Sequence, residues 1–272
     1  MWRGRPRPRN NMASQTTFEC KRLSFESTAA VAHIVLRNPP LNIIDIPMMD
    51  ELSAALTEIE SKPEISVVLL RGEGDCFSAG VDVAAHAPDK VALMLEKFHR
   101  VIRMLIATRK VSIASVHGHC LGGGAELAMV CDLAYSAEDA TWGFPEIQLG
   151  CFPPIAVTAL SALVGQKRAS DLILTGRTIT GSKAASIGLV SAAVPAQELE
   201  RTVDETVRKL SSLSPTALAI TKKAIYAWDS VHFDKGLARA EKIYLDELMH
   251  TEDAHEGIQA FIEKRKLKWK GR

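Results

Sequence analysis

The chain has no surplus of charge, no paired cysteines and no long apolar run, and each absence narrows what it does. Its 33 Lys and Arg offset 32 Asp and Glu to a formal net charge of +1, so no global basic field favours nucleic acid as a partner. Basic residues gather only at the two ends, in RGRPRPR and EKRKLKWKGR. The five cysteines (Cys20, Cys76, Cys120, Cys131 and Cys151) are odd in number and include no CxxC pair. That argues against a disulfide framework and fits a reduced, cytoplasmic protein. No stretch of eighteen uninterrupted apolar residues occurs, so no transmembrane helix is expected. There is no internal repeat.

RGRPRPR has no apolar run beside it, unlike a secretory signal. It is read as a disordered basic arm over residues 1–15. An organelle-targeting segment, or an extension upstream of Met12, are the alternatives.

What is present is ample apolar material, 47% of 272 residues, enough to build one large core. VAHIVLR (31–37) reads as a strand stopped by Asn38-Pro39-Pro40. Ile46, Met49, Leu52, Leu56 and Ile59 recur at helical spacing and predict a helix over 46–60. SVVLLR (66–71) and VSIASV (111–116) are near-continuous apolar runs, as in strands covered on both faces. Between them Val91, Leu95, Phe98, Ile102 and Leu105 mark a second helix. This alternation predicts an α/β core with a mostly parallel sheet, open and doubly wound. Beyond about residue 155 helical periodicity dominates, through LSALVG, 197–212 and 231–249, where Leu237, Ile243, Tyr244 and Leu248 form a stripe.

The segment GHCLGGGAELAMVCD (118–132) places three glycines before a carboxylate. A phosphate-binding P-loop needs Lys-Ser/Thr where Gly124-Ala125 stand, and a dinucleotide fingerprint needs a small residue where Leu127 stands. GxSxG fails because Cys76 precedes Ser78-Ala79-Gly80 at the first glycine position. His117-x-His119 lacks further ligands nearby and reads as two ordinary histidines rather than a metal site. What survives is a helix starting at the glycines, whose free N–H groups a ligand can approach without a Cβ in the way. Such an end suits a developing oxyanion, since no lysine is present to hold phosphate. A close helix–strand contact that merely needs small residues is the competing explanation.

Several separated motifs occur in an order that resembles the crotonase (enoyl-CoA hydratase/isomerase) superfamily. They are RNPPLNIID, CFSAGVD, VHGHCLGGGAELAMVCD, ATWGFPEIQLG, LTGRTITGSKAASIGLVSAAVP, SPTALAITKKAI and EDAHEGIQAFIEKRK. The resemblance spans about residues 20–272. It implies a crotonase-like α/β fold of ββα units, with a core over 16–200. It also implies a helical C-terminal region over 201–272 that builds a homotrimer or a dimer of trimers. The expected partner is an acyl-CoA substrate, with no nucleic acid, membrane, metal or separate cofactor, coenzyme A being part of the substrate.

Carried over by motif, the resemblance implies an oxyanion hole from the backbone N–H groups of Ala79 and Gly123. Glu126 and Glu146 match the two catalytic carboxylates of family hydratases, one to activate water and one to supply a proton. Ser78, Gly80, Asp82, Gly122, Gly124, Phe152 and Pro154 are the expected substrate-binding residues. Lys264 or Lys266 are expected near the adenine and pyrophosphate. After Glu146 the chain departs from ordinary members, because GCFPPIAVTALSALVG replaces the usual glycine-rich stretch. Pro154 removes a backbone donor there. LNIIDIPMMDEL and FPEIQLGCFPP are similar to cyclohexa-1,5-dienecarbonyl-CoA hydratases. The expected activity is hydration of an α,β-unsaturated acyl-CoA, with that cyclic dienoyl thioester favoured. A linear enoyl-CoA hydratase of β-oxidation, an isomerase, a thioester hydrolase and a silent binding protein are the alternatives.

Overall fold

The computed structural model describes residues 20–226 and 230–271. The basic arm expected over residues 1–15 lies outside them. Strands β1 (Leu23–Thr28) and β2 (Val31–Leu36) form an antiparallel hairpin. Helix α1 (Ile46–Ser61) follows, starting at Asp45, whose side chain accepts from the Met48 N–H at 3.0 Å, with Pro47 in the first turn. Both are favourable there, because the first turn leaves its donors unpaired and proline has none to lose. Strand β3 (Val67–Gly72), helix α2 (Val91–Ala107) and strand β4 (Val111–Val116) come next, each close to its expected bounds.

The chain then alternates between two sheets. β5 (His119–Leu121), α3 (Gly123–Met129), β6 (Leu133–Ala137) and β7 (Thr141–Gly143) lead to α4 (Pro154–Val164). β4 and β6 lie in a six-stranded sheet of order β1-β2-β3-β4-β6 and a last strand, β9 (Ala192–Val194). β5 and β7 lie in a three-stranded sheet completed by β8 (Thr178–Thr180). Each β4-β5-α3 and β6-β7-α4 segment is therefore a ββα unit with one strand in each sheet. The larger sheet is parallel from β2 onward, and its order rises steadily along the chain. A doubly wound sheet reverses its strand order at a switch point. That expectation from periodicity is corrected, and the ββα architecture is the one found.

Every residue of β4, and Val67 to Leu70 of β3, is buried, as strands covered on both faces should be. Helices α5 (Gln166–Thr175), α6 (Gly181–Ser186), α7 (Ala196–Ser211), α8 (Pro215–Tyr226), α9 (Ser230–Asp246) and α10 (Glu252–Ile262) complete the chain. α9 packs on α4, with Leu237, Ala240 and Tyr244 buried. α8 is tied to the sheet by Lys222, whose Nζ lies 2.8 Å from Asp132 Oδ2 and donates to the Lys110 carbonyl at 2.9 Å.

Candidate active site

Between β5 and α3 the chain turns at Gly122, with φ +50°, a backbone conformation that L side chains rarely adopt. Its N–H donates to the Gly143 carbonyl of β7 at 2.9 Å, which fixes where α3 begins. A Cβ on Gly122 would stand 2.8 Å from Glu146 Oε1, so the missing side chain admits that carboxylate. A Cβ on Gly123 would stand 2.5 Å from Val81 Cγ2 and 3.4 Å from Val81 N. Gly123 therefore lies directly against Val81.

The loop before α2 is held from both sides. Phe77 and Ser78 donate to the carbonyls of His117 and His119, and Ala79 donates to the Leu41 carbonyl at 2.9 Å. Ile44 N–H donates to Gly80 O, and Asp82 N–H donates to Ile44 O. These bonds turn the Val81 N–H away from the Ile44 strand. Neither Val81 N–H nor Gly123 N–H has a hydrogen-bond partner among the described residues. The expected donor pair is thus corrected by two positions. Ala79 N–H is committed to Leu41, and the free donor beside Gly123 belongs to Val81.

Glu126 stands one turn into α3 and is 3% exposed. Its Oε1 accepts from the N–H groups of Ile155 at 2.9 Å and Ala156 at 3.0 Å, the first free donors of α4. Pro154 occupies the first helical position, where a missing N–H costs nothing. The expected loss of a donor at Pro154 is therefore matched by two donors just after it. Burial pushes the Glu126 carboxyl up to about 7, and the two N–H bonds act against that rise.

Glu146 lies in a 3₁₀ turn, Pro145–Leu149, pinned by Cys151 N–H to the Glu146 carbonyl at 3.0 Å. The residue is half-buried, but its Oε2 is enclosed without a hydrogen-bond partner. Burial, followed by the nearby Glu126 charge, holds its carboxyl well above the ordinary value. Two buried carboxylates close enough to repel do not both ionise near neutrality, and the one with N–H donors holds the charge more easily. The surroundings therefore favour the charge on Glu126 and the proton on Glu146.

These groups line one cavity of about 90 Å³. Gly80, Ala79, Val81, Gly122 and Gly123 line it on one side, with Pro154 and the two glutamates. Met94, Leu95, Phe98 and His99 of α2 line it as well, with Phe152 and Tyr244. The Phe152 and Tyr244 rings meet edge to face, centroids 5.0 Å apart. His99 is fully buried, and its Nδ1 lies 2.6 Å from Glu241 Oε1 of α9. Arg103 donates to the same oxygen at 2.9 Å.

Three expected binding residues are corrected, since Ser78, Asp82 and Gly124 do not line the cavity. Ser78 Oγ donates to the Asn42 carbonyl, and Gly124 packs on Ser78. Asp82 caps the 3₁₀ turn Val83–His86 through the Ala84 N–H. Lys264 and Lys266, expected near the adenine and pyrophosphate, are exposed beyond α10. Sequence reasoning missed Val81, His99 and the site role of Tyr244. His99 had a signal, because it follows Leu95 by four residues and so falls on the buried face of α2. Among the described residues no cluster of three or more His, Cys, Asp or Glu is placed to hold a metal ion, and no helix is long and apolar enough to cross a membrane.

The sequence pattern described as enoyl-CoA hydratase/isomerase matches residues 26–272. A cyclohexa-1,5-dienecarbonyl-CoA hydratase of Thauera aromatica is 36% identical over 250 residues, which are 91% of this chain and 96% of that protein. A short-chain-enoyl-CoA hydratase of Clostridium acetobutylicum is 34% identical over 256 residues, covering 92% and 97% of the two chains. Among solved structures, an enoyl-CoA hydratase from Mycobacterium avium subsp. paratuberculosis superposes with a TM-score of 0.83 at 28% identity, covering 91% of this chain and 98% of that one.

Proposed function

The chain belongs to the enoyl-CoA hydratase/isomerase family, and from that premise we propose that it adds water to an α,β-unsaturated acyl-CoA thioester. The observation that carries this reading is the pair Glu126 and Glu146, buried in one cavity with their proton affinities set by different surroundings. The thioester oxygen lies between the N–H groups of Val81 and Gly123. Glu126, as the carboxylate, draws a proton from water as it attacks the β-carbon. The electrons of the double bond move onto the thioester oxygen, and the two N–H donors stabilise that enolate-like charge. Glu146, whose proton is favoured by burial and the Glu126 charge, delivers it to carbon as the enolate collapses. The attacking water thus supplies hydroxide to one carbon, and Glu146 supplies hydrogen to the other. Proton transfer from Glu126 back to Glu146 resets the site.

The finer reading is a compact acyl group, with a cyclic dienoyl thioester favoured. A cavity of about 90 Å³ walled by Leu95, Phe98 and Phe152 suits a short or cyclic group. The motif likeness after Glu146 and the Thauera relative support the cyclic form. We place coenzyme A within the substrate, with no separate cofactor. A homotrimer or dimer of trimers is proposed for the assembly, supported by the exposed apolar side chains of Ile220 and Ile225 on α8.

The test follows the conjugated-thioester absorbance of crotonyl-CoA and of cyclohexa-1,5-dienecarbonyl-CoA with the enzyme. Absorbance falls with both, faster with the cyclic compound. Glu126→Gln and Glu146→Gln each lower kcat by about 10²–10⁴-fold while the circular dichroism spectrum stays native. Loss of absorbance with neither compound sinks the hydratase reading, and near-native kcat in either variant sinks the two-carboxylate assignment.

A further inference from the structure

Two cavity-lining residues, His99 and Tyr244, take no part in the hydration chemistry. His99 Nε2 has no hydrogen-bond partner among the described residues, and the Tyr244 hydroxyl stands beside the Cys151 thiol. The side chain of His99 is 0% exposed, yet the residue lines the cavity. Its other nitrogen is not free to choose a role. Glu241 Oε1 lies 2.6 Å from Nδ1 and also accepts from Arg103, so that oxygen belongs to an ionised carboxylate. An ionised carboxylate only accepts, which places the imidazole proton on Nδ1. Burial holds His99 below its ordinary pKa, with the Glu241 contact working against that, so the ring is neutral near pH 7.

In that tautomer Nε2 is a bare acceptor. A buried acceptor without a donor is costly unless the bound molecule brings one. Tyr244 stands three residues after Glu241 on α9, so the two share a face of that helix. The wall that α9 supports thus offers an acceptor at His99 and a phenol at Tyr244, set among Leu95, Phe98 and Phe152. Hydrocarbon alone does not satisfy the His99 acceptor.

We propose that His99 is a specificity-determining residue, and that the preferred acyl group carries a hydroxyl which donates to His99 Nε2. The inference rests on the hydratase reading and departs from its finer part, because a hydroxylated short-chain or ring acyl thioester is then preferred to its unsubstituted counterpart. Glu241 is a positioning residue that fixes the His99 tautomer.

The test compares hex-2-enoyl-CoA with its 4-, 5- and 6-hydroxy derivatives. At one hydroxyl position kcat/KM exceeds that of the plain thioester by about 10–100-fold, since a site built to bond a hydroxyl discriminates against the analogue without it. His99→Leu brings that ratio towards one. Glu241→Gln lowers it as well, because an amide no longer dictates which nitrogen holds the proton. Calorimetric affinities of the saturated hexanoyl-CoA and hydroxyhexanoyl-CoA pairs on the unaltered enzyme give a second readout that needs neither turnover nor a folded variant. There the hydroxy form binds more tightly. A wild-type ratio near one for every position, or a ratio unchanged by His99→Leu, overturns the proposal. So does an equal loss on plain and hydroxylated thioesters, which would place His99 at the reacting carbons instead. If no thioester is hydrated, the hydratase reading fails, and the calorimetric pairs still decide this one.

Discussion

Glu126 and Glu146 share a cavity but meet different neighbours, and a pH profile separates them. Glu126 has two N–H donors and is pushed up to about 7, whereas Glu146 has an unpartnered oxygen and is held well above its ordinary value. The logarithm of kcat/KM is expected to fall below about pH 7 as Glu126 gains its proton, and again on the high-pH side once Glu146 loses one. A bell-shaped profile in buffers of constant ionic strength checks this. The same shifts predict an effect on stability. Both folded values lie above the ordinary 4.5, so the native state binds more protons than the unfolded chain at intermediate pH. The contribution is fully present below that ordinary value and is lost as pH rises through the folded values. Glu146→Gln, which has no charge to bury, therefore has a melting temperature above wild type at pH 8 and close to it at pH 5. Glutamates beside a glycine run are legible in a sequence. The identity of the N–H beside Gly123 was not, because it depends on which way a strand faces. The bridge between Ile44 and Val81 decides that, and no local pattern encodes it.

At the scale of elements, α1 shows how far local signals carry. Asp45 caps its first turn and also pairs with Arg22, Nε to Oδ2 at 2.7 Å, tying the start of α1 to the strand region before β1. Asp45→Ala is expected to lower stability by about 1 kcal/mol, within the 0.5–2 kcal/mol range of such caps, in urea denaturation followed by far-ultraviolet dichroism. Helices α1, α2 and α7 and strands β3 and β4 could be read from periodicity or continuous apolar runs. The three-residue strands β5, β7, β8 and β9 could not, since so few residues show no alternation and their pairing is set by distant partners. That is why the second sheet was missed by pattern, and only the ββα units implied by the family resemblance pointed to it. The His99–Glu241 contact joins residues 142 apart in sequence and was equally invisible.

Across the whole molecule, the C-terminal helices are held to the sheet by few polar contacts, and Lys222 is the most buried of them. Its Nζ meets Asp132 Oδ2 and the carbonyls of Lys110 and Leu105, with side-chain exposure of 6% for Lys222 and 13% for Asp132. Lys222→Met leaves Asp132 buried without its cation, at a cost of about 3–5 kcal/mol in equilibrium denaturation. The end of α4 has a different reach. Its first free N–H groups hold Glu126, and α9 packs on the same helix while carrying Glu241 and Tyr244. On the proposed reading, water activation and acyl selection both lean on one α4–α9 joint, while the oxyanion donors sit at Val81 and at the start of α3. An evolving or engineered descendant can repack that joint to change its substrate and the strength of its base together, and keep the enolate-stabilising chemistry it inherited.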